Sequence, residues 1–268
     1  IFSSLYCILF LFASVRFLSF YVDVLKTALN PNANRFVLAA GILCVCAYCA
    51  YKGVFTTTRC ALIGAAVISV FVIIFLIANI SDVELNNLYR SNSIATFAGG
   101  AFSLLPVCIL PVIFSALSGG FSQSRSAFIG FIIIAIVSSC VLVFFMNTVL
   151  ANYADGREFP YFILSKNASF GQMTSFDFLY MICISLCAFI IISLLLCCIN
   201  ESTGVEKRCK NTVVFVLLIF VLYICTEVFP KAKELVQNDI VFVVMCAVYA
   251  VVLPVYALLK LNGGRKSD

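Results

Sequence analysis

The sequence predicts an all-α polytopic membrane protein with about eight transmembrane helices, and three observations carry that prediction. Of 268 residues, 63% are hydrophobic and only 11% are charged, a balance foreign to water-soluble globular domains. Apolar stretches near or above the ~20 residues that cross a bilayer as a helix recur along the chain. These stretches are continuously apolar, whereas the strands of a membrane barrel alternate with a period of two. No composition shift marks a domain boundary, so residues 1–268 read as a single transmembrane domain.

The spans follow in order. They are Ile1–Tyr21, Phe36–Tyr51, Cys60–Ile80, Ile94–Leu117, Ala127–Tyr153, Phe176–Ile199, Thr212–Phe229 and Ile240–Leu261. The second has only 16 residues, at the short limit for a span, so Arg35 and Lys52 are expected to snorkel from its ends. Residue 1 is Ile within an apolar run with no basic leader or cleavage signature, so further chain is expected upstream. Ser81–Ser93 is polar and suits a short surface helix. Phe159–Lys166 is apolar and aromatic but short, which suits an interfacial helix.

Orientation comes from Lys and Arg in the short loops. The side on which the chain begins collects nine of them: Lys52, Arg59, Arg125, Lys207, Arg208, Lys210, Lys260, Arg265 and Lys266. The other side has seven: Lys26, Arg35, Arg90, Arg157, Lys166, Lys231 and Lys233. The excess predicts a cytoplasmic C-terminus. The formal net charge of +5 is loop asymmetry of this kind; no basic cluster interleaved with aromatics suggests nucleic acid.

The fourth span is unlike the others. Between Ile94 and Leu117 it holds adjacent Gly99 and Gly100, then Ser103, Pro106, Pro111 and Ser115. Each Pro removes a backbone donor and clashes with the carbonyl four residues back. In hydrocarbon the freed groups survive only where protein buries them or a watery cavity solvates them. A discontinuous helix of this type builds ligand sites near the bilayer midplane. The competing reading is a kinked helix whose Gly and Pro serve packing. Gly99, Gly100, Ser103, Pro106, Pro111 and Ser115 are accordingly the candidate ligand-binding residues.

Arg16 is the one charge well inside a span, and Asp23 lies two helical turns on along the same face. An intramembrane charge needs a partner and marks a pathway or a structural pair, so these two are the candidate pathway charges. Asp177 suits a helix-end acid, stabilised by the helix dipole. There are 14 Cys and no His. Most of the thiols fall inside apolar runs, where Cys packs as a small apolar residue, and no paired metal-ligand spacing occurs. Without His the usual general base is absent. No phosphate loop, nucleophile elbow or carboxylate pair appears. The sequence thus calls for no enzyme, metal or cofactor.

Two segments resemble the spore-germination amino-acid permeases, the permease subunits of germinant receptors, within the amino acid–polyamine–organocation superfamily. One runs from Val15-Arg16-Phe17 through Leu29-Asn30-Pro31 to Tyr51-Lys52-Gly53-Val54-Phe55-Thr56-Thr57-Thr58-Arg59. It is similar to the family's third and fourth helices and the cytoplasmic turn that follows. The other runs from Phe159-Pro160-Tyr161 through Ser169-Phe170-Gly171 to Phe176-Asp177-Phe178-Leu179. It resembles the aromatic-Pro segment before the family's eighth helix.

That resemblance implies a fold of ten helices in two inverted five-helix repeats, the LeuT-like permease architecture, with this chain supplying helices three to ten. Ile94–Leu117 then falls on the family's broken sixth helix. It further implies a small amino acid or similar nutrient as ligand, a multi-pass location in a bacterial spore inner membrane, and other germinant-receptor subunits as partners. A stand-alone amino-acid/cation symporter and a non-transporting membrane scaffold of the same fold are the alternatives. The chain departs from the family pattern at Tyr89-Arg90-Ser91, where relatives carry a Pro.

Overall fold

The computed structural model describes residues 2–28, 32–84, 124–150, 159–168, 176–203 and 208–249. Among these residues the regular structure is helical. The order is α1 (Phe2–Ala28), α2 (Arg35–Lys52), α3 (Val54–Ala78), α4 (Ser124–Leu150), α5 (Pro160–Asn167), α6 (Asp177–Thr203), α7 (Arg208–Val228), α8 (Pro230–Gln237) and α9 (Asp239–Ala247). A 3-10 turn, Ile80–Asp82, follows α3. Five helices among the described residues are long and apolar enough to cross a membrane: α1, α2, α3, α6 and α7. In α4 the corresponding stretch is shorter, Ile136–Leu150.

Local chemistry accounts for the ends. Asn34 caps α2, its side chain accepting from Phe36 N at 3.0 Å, which satisfies one of the first-turn donors. α2 and α3 form a hairpin with one intervening residue, Gly53, at φ 99° and ψ 176°. That conformation is open only to glycine. The expected loop from Lys52 to Arg59 is therefore absent. Thr57 and Thr58 return their hydroxyls to the carbonyls of Gly53 and Val54 at 3.2 and 2.8 Å, so polar residues sit in a helix at little cost. Pro160 and Pro230 occupy the first turns of α5 and α8, where a missing N–H costs nothing. A short helix, α5, is thus present in the segment expected to form an interfacial one. Of the surface helix expected over Ser81–Ser93, only the 3-10 turn lies among the described residues.

α1 is the centre of the bundle. Leu9, Phe10, Ala13, Ser14, Leu18 and Val22 are fully buried on several of its faces, as expected of a helix surrounded by others. Its most extensive partner is α6. The early turns of α1 (Leu9, Phe10, Ala13) pack with Leu195, Cys198 and Ile199, and its later turns (Val15, Leu18, Val22) with Met181, Ala188 and Ile192. The two helices are therefore antiparallel. α2 and α7 complete the frame, each touching both α1 and α6. Helices in lipid gain nothing from burying apolar surface against one another, so close approach by small residues must supply the attraction. Ala13, Ala39, Cys46 and Ala188 lie in these contacts. Gly64 of α3 sits so near α6 that a β-carbon there would meet Ile190 Cδ1 at 2.8 Å. The other faces of α3 are apolar and exposed, Leu62, Ile63, Val70 and Ile73 among them, which suits contact with lipid.

At the end where α6 passes to α7, Asn200 Nδ2 donates to Thr212 Oγ1 at 2.8 Å. Asn211 Nδ2 donates to Thr203 Oγ1 at 3.2 Å.

Candidate functional site

The opposite end of the bundle gathers the charges. α1 ends there, α2 begins there, α7 ends there, and α8 crosses against α1. Four side chains from these four helices close a ring of alternating sign. Asp23 pairs with Arg35 at 3.5 Å, Arg35 pairs with Glu227, Glu227 with Lys233 at 3.1 Å, and Lys233 with Asp23 at 2.9 Å. The ring is neutral in sum, so each charge leaves bulk water with two partners of opposite sign. This offsets desolvation better than a single pair does. Glu227 is the deepest member, its side chain 7% exposed. Beneath the ring Tyr223 is fully buried, its ring edge-on to Phe36, and neither its hydroxyl nor Arg35 Nε has a hydrogen-bond partner.

A second anchor lies about one turn further along α8. Arg16 Nη1 donates to the carbonyls of Val236 and Asn238 at 2.9 and 3.1 Å, and Nη2 pairs with Asp239. The carbonyls at a helix C-terminus have no intrahelical donor, and one guanidinium satisfies two at this corner. The same guanidinium lies over the ring of Phe242, 4.7 Å from its centroid, a cation–π contact that requires the face of an aromatic. Between the anchors Gln237 Nε2 donates to Asp23 Oδ2 at 2.9 Å and approaches Ser19 Oγ at 3.4 Å. Asn238 then caps α9, accepting from Ile240 N and Val241 N.

Arg16 and Asp23, the two pathway candidates, do not pair with each other. They share a face of α1, and each takes its own partners from α8 and the corner after it. Arg35, expected to snorkel, is turned inward onto Glu227 and Asp23, because two carboxylates compensate it there better than the interface would. Lys52 stays at its helix end beside the rings of Tyr48 and Tyr51, 5.6 and 5.9 Å away. Asp177 stands in the first turn of α6 as expected; its Oδ1 is buried without a hydrogen-bond partner. Gly99, Gly100, Ser103, Pro106, Pro111 and Ser115 lie outside the described residues.

The sequence singles out neither Glu227 nor Lys233, and points to Arg35 only as a snorkelling helix-end residue. The available signal was that Glu227 lies near the end of an apolar span, about one turn before a Pro-initiated segment that carries Lys231 and Lys233. No group of three or more His, Cys, Asp or Glu among the described residues is arranged to hold a metal ion.

No curated protein and no solved structure matches the chain. A family model does. The spore permease family, described as spore germination protein, matches residues 1–234, a stretch that takes in α1 to α7 and the segment with Gly99 and Pro111. This is a family of permease-like membrane proteins rather than of enzymes, and the apolar helices suit contact with a lipid bilayer. With most of its length matched and at least five helices able to span a membrane, the chain belongs to the spore germination permease family.

Proposed function

We propose that the chain is the nutrient-binding, permease-like subunit of a spore germinant receptor. On this reading it holds a small amino acid at the discontinuous helix Ile94–Leu117, near the bilayer midplane. The observation that carries the reading is the pairing of α1 with α6 and of α2 with α7. If the chain supplies helices three to ten of two inverted five-helix repeats, α1 and α6 are equivalent members of the two repeats, and so are α2 and α7. The antiparallel packing of α1 on α6 suits that inverted relation. Both helices are 27 residues long.

The four helices then act as a frame. On three of them, α1, α2 and α7, the ring residues Asp23, Arg35 and Glu227 are engaged with one another, which suits a support better than a binding surface. Gly99, Gly100, Ser103, Pro106, Pro111 and Ser115 are left to meet the ligand, through backbone groups that the prolines free. The ring end faces outside and the C-terminus faces the cytoplasm. A ligand shifts the protein between states only if it binds them with different affinity, and the shift is passed to the other receptor subunits.

The test uses the full-length protein in spores with its neighbouring subunits. Changing Pro106→Ala and Pro111→Ala together is expected to abolish the amino-acid response while leaving the protein in the membrane. A normal response from that variant would remove the discontinuous-helix site. Uptake of labelled amino acid by the protein alone would instead favour a stand-alone symporter.

A further inference from the structure

We propose that α8 is a detachable strap, docked on α1 by charge and able to lift while α9 stays in place. The inference stands on the contacts of α8 alone and does not depend on the ligand reading. Among the described residues, what holds α8 down is almost wholly polar. Lys233 and Gln237 reach Asp23, Lys233 reaches Glu227, and the helix end is capped by Arg16. The one buried apolar residue of α8 is Val236; Leu235 points away and is 55% exposed. Neighbouring α9 is held differently, with Phe242 and Cys246 fully buried against α1 and α6.

The two helices therefore respond to different forces. Lifting α8 exposes little apolar surface, and its ions regain water as they separate, which offsets much of the lost pairing. Lifting α9 strips an aromatic cluster. The boundaries suit a hinge at each side of α8. Phe229 precedes Pro230, whose ring ends the preceding helix, and Asn238 stands alone between α8 and α9 in an extended conformation. An eight-residue helix has little stability by itself, so α8 unfolds when it leaves α1. When it lifts, the polar stripe Arg16–Ser19–Asp23 on α1 loses its cover: Ser19, 1% exposed, has Gln237 as its neighbour across the gap.

Amide hydrogen exchange of the full chain in lipid nanodiscs tests this. Exchange at 232–237 should quicken by at least about fivefold when ionic strength rises from roughly 0.05 M to roughly 1 M, because partly exposed pairs are screened. Lys233→Ala should do the same at low salt, and amides of 241–247 should stay protected under both conditions. A short bis-maleimide cross-link between Ser19→Cys and Gln237→Cys, spanning the length of the lost Gln side chain, should remove the salt effect, which separates docking from any general loosening. Exchange at 232–237 that ignores salt, or that rises together with exchange at 241–247, would overturn the proposal. The salt comparison needs no substitution, so a variant that fails to fold does not blunt it.

Discussion

Asp23 and Glu227 do not touch, yet they are joined twice, once through Arg35 and once through Lys233. Two carboxylates on different helices are thereby held close without facing each other. In a medium of low dielectric the repulsion of like charges would otherwise be large. The arrangement links α1, α2, α7 and α8 in one closed circuit, so a change at any corner is felt at two others.

Alternation of charge distinguishes a ring from a set of isolated pairs. In an isolated pair, exchanging the residues restores the attraction. Here the exchange Asp23→Lys with Lys233→Asp keeps two favourable edges, 23–233 and Arg35–Glu227, but sets Lys against Arg35 and Asp against Glu227. That double variant should melt below the single Asp23→Asn. The fourfold exchange, with Arg35→Glu and Glu227→Arg added, restores alternation and should recover part of the loss. Thermal melting in detergent micelles decides it, and a double variant as stable as the parent would show that the Asp23–Lys233 pair stands alone and the ring is only a set of isolated pairs.

Arg16 does work that its charge alone does not describe. Its planar fork reaches two carbonyls and a carboxylate at once while its face rests on Phe242. Lys has a single point of charge and cannot satisfy all of these. Arg16→Ala should cost about 1.5–3 kcal/mol, the range for hydrogen bonds to a charged group. Arg16→Lys should recover less than half of that. The same melting experiment measures both.

Most of the helical plan was legible because the bilayer imposes it: a run of about twenty apolar residues has few other uses. Ends and partners were harder to read. Thr56, Thr57, Thr58 and Arg59 look like a loop by polarity, and the hydroxyls of Thr57 and Thr58 hide inside a helix by bonding to the preceding turn. Lys231, Lys233 and Glu234 also look like a loop, although Pro230 and Asn238 bracket them with a helix start and the cap of the next helix. The ring could not be read at all, since its members lie up to 210 positions apart and meet only through the packing of four helices. Arg35 shows the cost of local reasoning: alone at a helix end it looks like a snorkelling residue, and its real partners come from α1 and α7.

Gly64 sets the distance between α3 and α6. A β-carbon there would lie 2.8 Å from Ile190 Cδ1 and 3.5 Å from Cγ1. The obstructing atom is the end of a flexible side chain, so Gly64→Ala should cost no more than about 1 kcal/mol, partly repaid by helix propensity. Gly64→Leu has no such escape and should separate the helices at about 1–3 kcal/mol, the range for overpacking. Adding Ile190→Ala to Gly64→Leu should recover stability if contact with Ile190 is the cause. No recovery would place the clash elsewhere.

Gly53 imposes a different kind of limit, on the backbone itself. At φ 99° and ψ 176° it lies in a region that side chains other than hydrogen do not enter, at a cost of about 1–3 kcal/mol. Asn, which often replaces Gly at left-handed helix ends, tolerates a different region, with ψ near 50°. Gly53→Asn should therefore destabilise the α2–α3 hairpin as much as Gly53→Ala does. The two neighbouring contacts give a local readout, because Thr57 Oγ1 bonds to the carbonyls of Cys49 and Gly53, and approaches Cys197 Sγ at 3.3 Å. A turn that must open to admit a side chain pulls Thr57 away from Cys197, and the Cys197 thiol should then react faster with a small maleimide. Equal stability of the Asn variant and the parent would mean that the turn relaxes into the left-handed region at no cost.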